Sequence, residues 1–339
     1  MRLAADRPAE ERGLTRDGIR LLVATTDGLA HARFADLPRF LTPGDLLVVN
    51  TSATMPAAVD GQRSDDRAVT VHFSTPLEDG CWVVELRHGD EARGRVTDAE
   101  PAEAITLPGH VTLTLLNRYP DHAADRLWVT SISGPGLVDS VEGYLARYGR
   151  PIRYSYVPDE WPLAAYQTVF SRQPGSAEMP SAGRPFTTDL IADVITAGVA
   201  IAPITLHAGV ASLEAGEMPL PERFAVSEPT ARLVNLTRSA GRRVIAVGTT
   251  VTRALEGAAD PAGTVRSAHG WTDQILGPEH PARVVGGLIT GWHDPEASHL
   301  ALLEAVAGTG LVKAAYSEAE QAGYLGHEFG DSCLLLPAL

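Results

Sequence analysis

The chain predicts an α/β fold carrying a small all-β unit, and three observations support that expectation. Beyond Pro151 helical and strand patterns alternate, as they do in a sheet flanked by helices. Between Val59 and about Gly149 the segments become short, alternating and separated by loops rich in Asp, Gly and Pro, which predicts a small antiparallel barrel or sandwich. Apolar runs ending in Gly-containing turns occur on both sides of that stretch, so residues 58–149 read as an insertion in a discontinuous domain made of 1–57 and 150–339.

The elements follow in order. Ile19–Val23 and His31–Phe34 read as strands joined at Asp27-Gly28, a strong hairpin signal, with a short helix near Asp36–Phe40. Pro43-Gly44 then turns the chain into a buried strand, Leu46–Asn50. Within the insertion, Ala68–Phe73, Cys81–Leu86, Val111–Leu116 and Leu127–Ile132 are strand-like, and Val138–Tyr148 is helical. Further on come a helix at Thr188–Ala197, a strand at Ala200–Leu206, a helix at Pro229–Ala240 and strands at Val244–Val247 and Val284–Thr290. Amphipathic helices at His299–Ala307 and Ala314–Ala322 complete the pattern, and no repeat with a solenoid or propeller period is present.

Composition narrows the function classes. A net charge of −14 over 339 residues lowers the expectation of a protein that grips a phosphate backbone, because counterion release rewards a basic face. Cys81 and Cys333 suggest neither a disulfide framework nor a metal knuckle. Residues 1–18 show no charged-then-apolar leader and no run is long enough to span a bilayer, so the expected location is the cytoplasm, with no membrane partner.

Chemistry is expected where strands end. Arg242–Glu256 reads as strand, turn and helix: Gly248 allows the turn, Thr249 or Thr250 can cap the helix, and the free N–H groups there suit an anionic or polar ligand group. Strand 200–206 runs into His207, an imidazole whose ordinary pKa of about 6.5 suits acid/base work or a ligand hydrogen bond. Strand 284–290 ends in Gly291-Trp292-His293-Asp294-Pro295, which offers a stacking surface and a second titratable group. Gly270-Trp271-Thr272-Asp273 reads, taken alone, as a turn. Small residues cluster around Tyr166-Gln167-Thr168-Val169-Phe170 and Pro174–Phe186, permitting close backbone approach to a ligand. HExxH, CxxC, GxGxxG, the phosphate-binding loop and GxSxG are missing from the sequence, so metal, dinucleotide and acyl-transfer chemistry have no positive support.

Together and in this order the motifs resemble the S-adenosylmethionine:tRNA ribosyltransferase-isomerase (QueA) family of the queuosine pathway. The resemblance rests on Leu41–Asn50, Tyr166–Val169, Ser181-Ala182-Gly183 with Phe186-Thr187, Leu206–Gly209, Arg243–Thr250 with Arg253, Gly270–Asp273, Leu288–Thr290 with His293 and Pro295, and Gly330-Asp331. It implies a large distorted α/β-barrel-like domain with an inserted small antiparallel β-barrel near residues 58–149. It also implies an enzyme that transfers and isomerises the ribosyl part of S-adenosylmethionine onto the aminomethyl group of a 7-deazaguanine base in tRNA, releasing adenine and methionine. The sulfonium acidifies the neighbouring C5′ hydrogens, so one positioned base can start the rearrangement with no metal and no cofactor beyond S-adenosylmethionine as co-substrate.

Carried onto matching positions, the resemblance and the strand-end reading nominate His207, His293 and Asp273 as catalytic residues. Gly248, Thr249, Thr250, Arg253, Gly183, Phe186, Tyr166, Gln167, Trp271 and Trp292 are nominated for substrate binding. The chain also departs from the family pattern. Two arginines after Asn50 are replaced by Ala53 and Ala58, a His becomes Pro185, and Phe-Phe-Ser-Tyr-Gly-Asp becomes Gly326-His327-Glu328-Phe329-Gly330-Asp331. The lost cations and the net acidity count against tRNA as acceptor. The alternatives are a paralogue that rearranges S-adenosylmethionine for a small-molecule pathway and a non-catalytic binding protein on the same fold.

Overall fold

The computed structural model describes residues 3–89, 94–122, 124–210, 219–293 and 299–338. Strands β1 (Arg20–Thr25) and β2 (Gly28–Arg33) form the antiparallel hairpin demanded by Asp27-Gly28. A 3-10 turn occupies Phe34–Phe40, and Pro43-Gly44 leads into β3 (Leu46–Asn50), buried along its whole length, then β4 (Ser52–Thr54).

β5 (Ala58–Arg63), β6 (Ala68–Pro76), β7 (Trp82–His88), β8 (Ala104–Leu107), β9 (Val111–Tyr119) and β10 (Leu127–Ser133) close on themselves in the order β10-β7-β6-β5-β8-β9. Closure leaves no unpaired edge, which decides for a barrel over a sandwich. Val71, Phe73, Val84, Leu86, Leu113, Leu115 and Trp128 fill it, and Tyr144 and Leu145 of helix α1 (Val141–Tyr148) join the same apolar cluster. Each fully buried side chain of this kind contributes roughly 1.5–3 kcal/mol.

The second half supplies β11 (Gln173–Ser176), α2 (Thr188–Thr196), β12 (Ala200–His207), β13 (Glu222–Val226), α3 (Glu228–Ser239), β14 (Val244–Val247) and α4 (Thr249–Gly257). β15 (Ala268–Thr272), β16 (Gly287–Gly291), α5 (His299–Ala307), α6 (Thr309–Gln321) and β17 (Ser332–Leu336) complete it. With β1–β3 they build a nine-stranded mixed sheet in the order β15-β13-β12-β3-β14-β16-β17-β1-β2. Its core strands β12, β3, β14 and β16 are parallel and apolar on both faces. Leu46, Val48, Ala246 and Leu288 pack against α4 and α5 on one side, while Leu47, Val49, Ile245 and Ile289 pack with Phe186 and Leu190 on the other.

Three local readings change. Gly270–Thr272, expected as a turn, is the end of edge strand β15, paired antiparallel with β13. Ser332–Leu336, which the pattern leaves unassigned, lies between β1 and β16. β16 starts at Gly287 rather than Val284 because the buried carboxylate of Glu256 accepts the N–H groups of Arg283, Val284 and Val285 at 3.0, 2.9 and 3.0 Å. Those donors are therefore lost to the ladder.

Candidate active site

Parallel strands end on one side of a sheet, so residues far apart in sequence meet there. Asn50, His207, Gly248 and Gly291 end or follow β3, β12, β14 and β16, and beside them lies a cavity of about 340 Å³. His207, Gly248, Thr249, Thr250, Arg253, Trp292 and His293 line it, and the barrel contributes Ser74, Thr75 and Tyr119 from the opposite side. Ser74 and Thr75 lie at a register shift in β6, where a bulge re-aims side chains.

His207 is anchored through one ring nitrogen. Its Nδ1 is 2.8 Å from Ser52 Oγ, which is 2.6 Å from Ser176 Oγ, and Ser176 in turn accepts the Ala208 N–H at 3.0 Å. Gly175 is required beneath the ring, because a Cβ there would stand 2.3 Å from Nδ1. Burial, helped by the nearby Arg223 charge, pulls the imidazole down to a pKa of about 4, so it is neutral at pH 7. His293 is also held neutral: burial first, then His299 and His327, push it well below the ordinary range. Its ring stacks on His299 at 4.5 Å, with Nε2 3.2 Å from Thr290 Oγ1.

At the start of α4 the cap is Gly248 with φ of 99°, and no hydroxyl caps the helix, contrary to the expectation for Thr249 or Thr250. Thr249 is the first helical residue, and Thr250 Oγ1 accepts a hydrogen bond from Asn50 Nδ2 at 3.2 Å. The same Asn50 amide bridges β3 to β12 through Leu206, donating to its carbonyl at 2.8 Å and accepting its N–H at 3.0 Å. The first-turn N–H groups of α4 are thus left for a ligand. Arg253, in contrast, is taken up by the protein. It pairs with Glu222 and donates to the carbonyls of Leu220, Thr272 and Gln274 at 2.8, 3.2 and 3.3 Å. Its guanidinium is thus engaged by part-buried Glu222 and by backbone carbonyls at the edge of the cavity it lines.

One wall escaped the sequence reading. Tyr154 donates to Glu178, Tyr156 hydrogen-bonds Glu328 and stacks on His327 with ring centres 4.0 Å apart, and all five residues line the cavity. Burial and then the negative charge of Glu178 push Glu328 up to about 7. Both phenols are raised well above their ordinary value, by burial first and then by the carboxylates, and stay protonated. Glu178 lies in the small-residue loop and Glu328 in the departing segment 326–331; those were the signals available.

The other nominated residues lie outside the cavity lining. Phe186 is in the core, edge-on to Phe34 and Phe170, and Gly183 is buried against Thr168 and Phe170. Tyr166 packs on Phe329, while the Gln167 side chain exchanges hydrogen bonds with the Thr54 backbone at 3.0 and 2.8 Å. Trp271 is on edge strand β15 and Asp273 is exposed just beyond it. Trp292 reaches the cavity, but Tyr316 and Tyr324 pack on it at 5.0 and 5.7 Å, leaving little ring face for a ligand. Asp294, Pro295 and the segment after Val210 lie outside the described residues. Among the described residues no group of three or more His, Cys, Asp or Glu side chains is placed to hold a metal ion.

A family model described as queuosine biosynthesis protein matches residues 1–335. A protein of Acidiphilium cryptum named S-adenosylmethionine:tRNA ribosyltransferase-isomerase is 35% identical, with 98% of this chain and 96% of that protein covered. One of the same name from a Methylobacterium species is 36% identical, covering 99% and 96%. The crystal structure of S-adenosylmethionine tRNA ribosyltransferase from Thermotoga maritima superposes with a TM-score of 0.52 at 25% identity, covering 98% of this chain and 96% of that one. Matched by the family model over residues 1–335 and spanning its relatives almost end to end, the chain belongs to the queuosine biosynthesis protein family.

Proposed function

We propose that the cavity binds S-adenosylmethionine and that the chain acts as a ribosyltransferase-isomerase, moving and rearranging the ribosyl part with release of adenine and methionine. The observation that carries this reading is the convergence of Leu206–Gly209, Gly248–Thr250 and Leu288–His293, family-matching segments distant in sequence, on one cavity of about 340 Å³, a volume suited to a nucleoside-sized ligand. The uncapped N-terminus of α4 suits the methionine carboxylate. Neutral His207 can accept or donate a hydrogen bond on its second nitrogen while Ser52 fixes the first. Asp273 and Trp271, placed beyond the lining, are assigned no contact with the nucleoside.

The acceptor in this reading is the aminomethyl base of tRNA, as the relatives' name suggests, and the place of action is the cytoplasm. Incubation of the protein with S-adenosylmethionine, with and without tRNA carrying that base, should yield adenine and methionine by mass spectrometry only when the tRNA is present. Adenine release with the tRNA omitted would move the acceptor assignment to a small molecule. Absence of turnover by folded protein in every arm would refute the reaction.

A further inference from the structure

We propose that Glu178 and Glu328 form a cation subsite of this cavity, in which the positive charge of a substrate replaces a proton held between the carboxylates. The inference rests on the reading of the cavity as the S-adenosylmethionine site and adds the chemistry that one wall of it recognises.

Geometry comes first. The two carboxyl groups line one cavity and each is held by a phenol, Tyr154 on Glu178 and Tyr156 on Glu328, so hydroxyl donors fix their position without neutralising their charge. Arg253 in the same lining is already paired with Glu222. Two part-buried carboxylates in one lining, with the charge of Glu178 felt at Glu328, cannot both ionise cheaply, which leaves one proton on the pair unless a cation enters. The upward shift of Glu328 to about 7 agrees with that sharing.

A second observation also points to a ligand here. Thr75 Oγ1 and Trp292 Nε1 are buried in the lining of the same cavity without a hydrogen-bond partner, although Thr75 is 6% and Trp292 1% exposed. Buried polar atoms are normally satisfied, and an unsatisfied one costs about 1–3 kcal/mol. A hydroxyl and an indole N–H in the same lining as the two acids fit a ligand that is cationic and also carries polar groups. A sulfonium and a primary ammonium share that chemistry. In either case a carboxyl O–H breaks, its electron pair stays on oxygen, the proton passes to the buffer, and the resulting carboxylate faces the bound cation.

The test is calorimetry on the full chain at pH 7 in two buffers of different ionisation enthalpy. Titration with S-adenosylmethionine should release about half a proton, the share held by a group with a pKa of about 7. Affinity should fall as pH drops below 7 and fall roughly tenfold in Glu328→Gln and Glu178→Gln. S-adenosylhomocysteine, whose sulfur is neutral, separates the sources. If it lacks the release and the variant effect, the cation is the sulfonium; if it shares both, the cation is the amino-acid ammonium.

A third supporting result places the acceptor's amine there: unchanged nucleoside binding, with KM for the acceptor raised roughly tenfold in both variants. Wild-type behaviour of both folded variants in all these measurements, with no proton release, overturns the subsite while leaving the reaction intact. Linked binding of S-adenosylmethionine without any turnover does the opposite. Proton release in the unmodified protein needs no variant, so the proposal remains testable even if a substitution unfolds the chain.

Discussion

Two carboxylates, buried Glu85 on barrel strand β7 and part-buried Glu328 in the cavity wall, have opposite electrostatics. Burial pushes both upward, yet Glu85 ends below the ordinary carboxylate range because His72, Arg126 and Arg87 surround it, their closest nitrogens 3.6, 3.5 and 3.5 Å from its oxygens. Glu328 feels the negative charge of Glu178 and ends at about 7. Burial is common to the two sites; the sign of the neighbouring charge decides between a structural anion and a group that exchanges protons near neutrality.

The sharpest way to break this comparison is to remove each charge in turn. Glu85→Gln removes the buried carboxylate on which Arg87, Arg126 and His72 converge and should cost about 3–5 kcal/mol, read by urea unfolding at pH 7. A loss below about 1 kcal/mol would mean that the barrel cluster is solvated and the contrast false.

Glu328→Gln should act in the other direction. The native pKa of about 7 is raised from 4.5, so the neutral group stabilises fully below about pH 4.5, and that contribution is lost as pH rises through 7. The variant should therefore match the wild type near pH 4 and exceed it by about 3 kcal/mol above pH 7. Denaturant midpoints at pH 5 and pH 8 check this, and a gain independent of pH would contradict it.

Sequence alone made much of the scaffold legible and half of the site. Asp27-Gly28 fixes its hairpin locally, and the alternating short segments announce the barrel, because side-chain period and turn chemistry are local properties. β15 and β17 were not legible: five residues carry little period, and their pairing with β13, β1 and β16 is decided by tertiary context. In the site, His207, Gly248 and His293 could be found because they end strands. The engagement of Arg253 by Glu222, Leu220, Thr272 and Gln274 was not legible, because those partners come from segments that only the fold brings together. Glu178 and Glu328 are unremarkable acids in sequence, and only the fold brings them into one cavity lining.

The comparison extends to the neutral wall, where position matters more than charge. Gly175→Ala would place a methyl 2.3 Å from His207 Nδ1, at a residue whose φ is 155°. The ring must move and give up its 2.8 Å contact with Ser52 Oγ. A displacement of about 1 Å at a reacting centre typically costs on the order of 100-fold, so kcat for adenine release should fall by about that factor in the folded variant, while the strained backbone also lowers the urea midpoint. Undiminished turnover would show that His207 is a bystander and that the chemistry belongs to the acidic wall alone.

The smallest effect is expected at Thr250. Asn50 Nδ2 donates to Thr250 Oγ1 at 3.2 Å, so the hydroxyl oxygen is an acceptor in that contact, and in the proposed reading its proton donates to an acceptor on the nucleoside. Thr250→Val keeps shape and removes that donor, and the loss of one neutral hydrogen bond is worth about 1 kcal/mol, or roughly fivefold in Kd for S-adenosylmethionine. Thr250→Ser keeps the hydroxyl and should bind like the wild type. A loss in Thr250→Ser with none in Thr250→Val would assign the effect to packing of the methyl group, and the neutral wall would then recognise its ligand by shape where the acidic wall does so by charge.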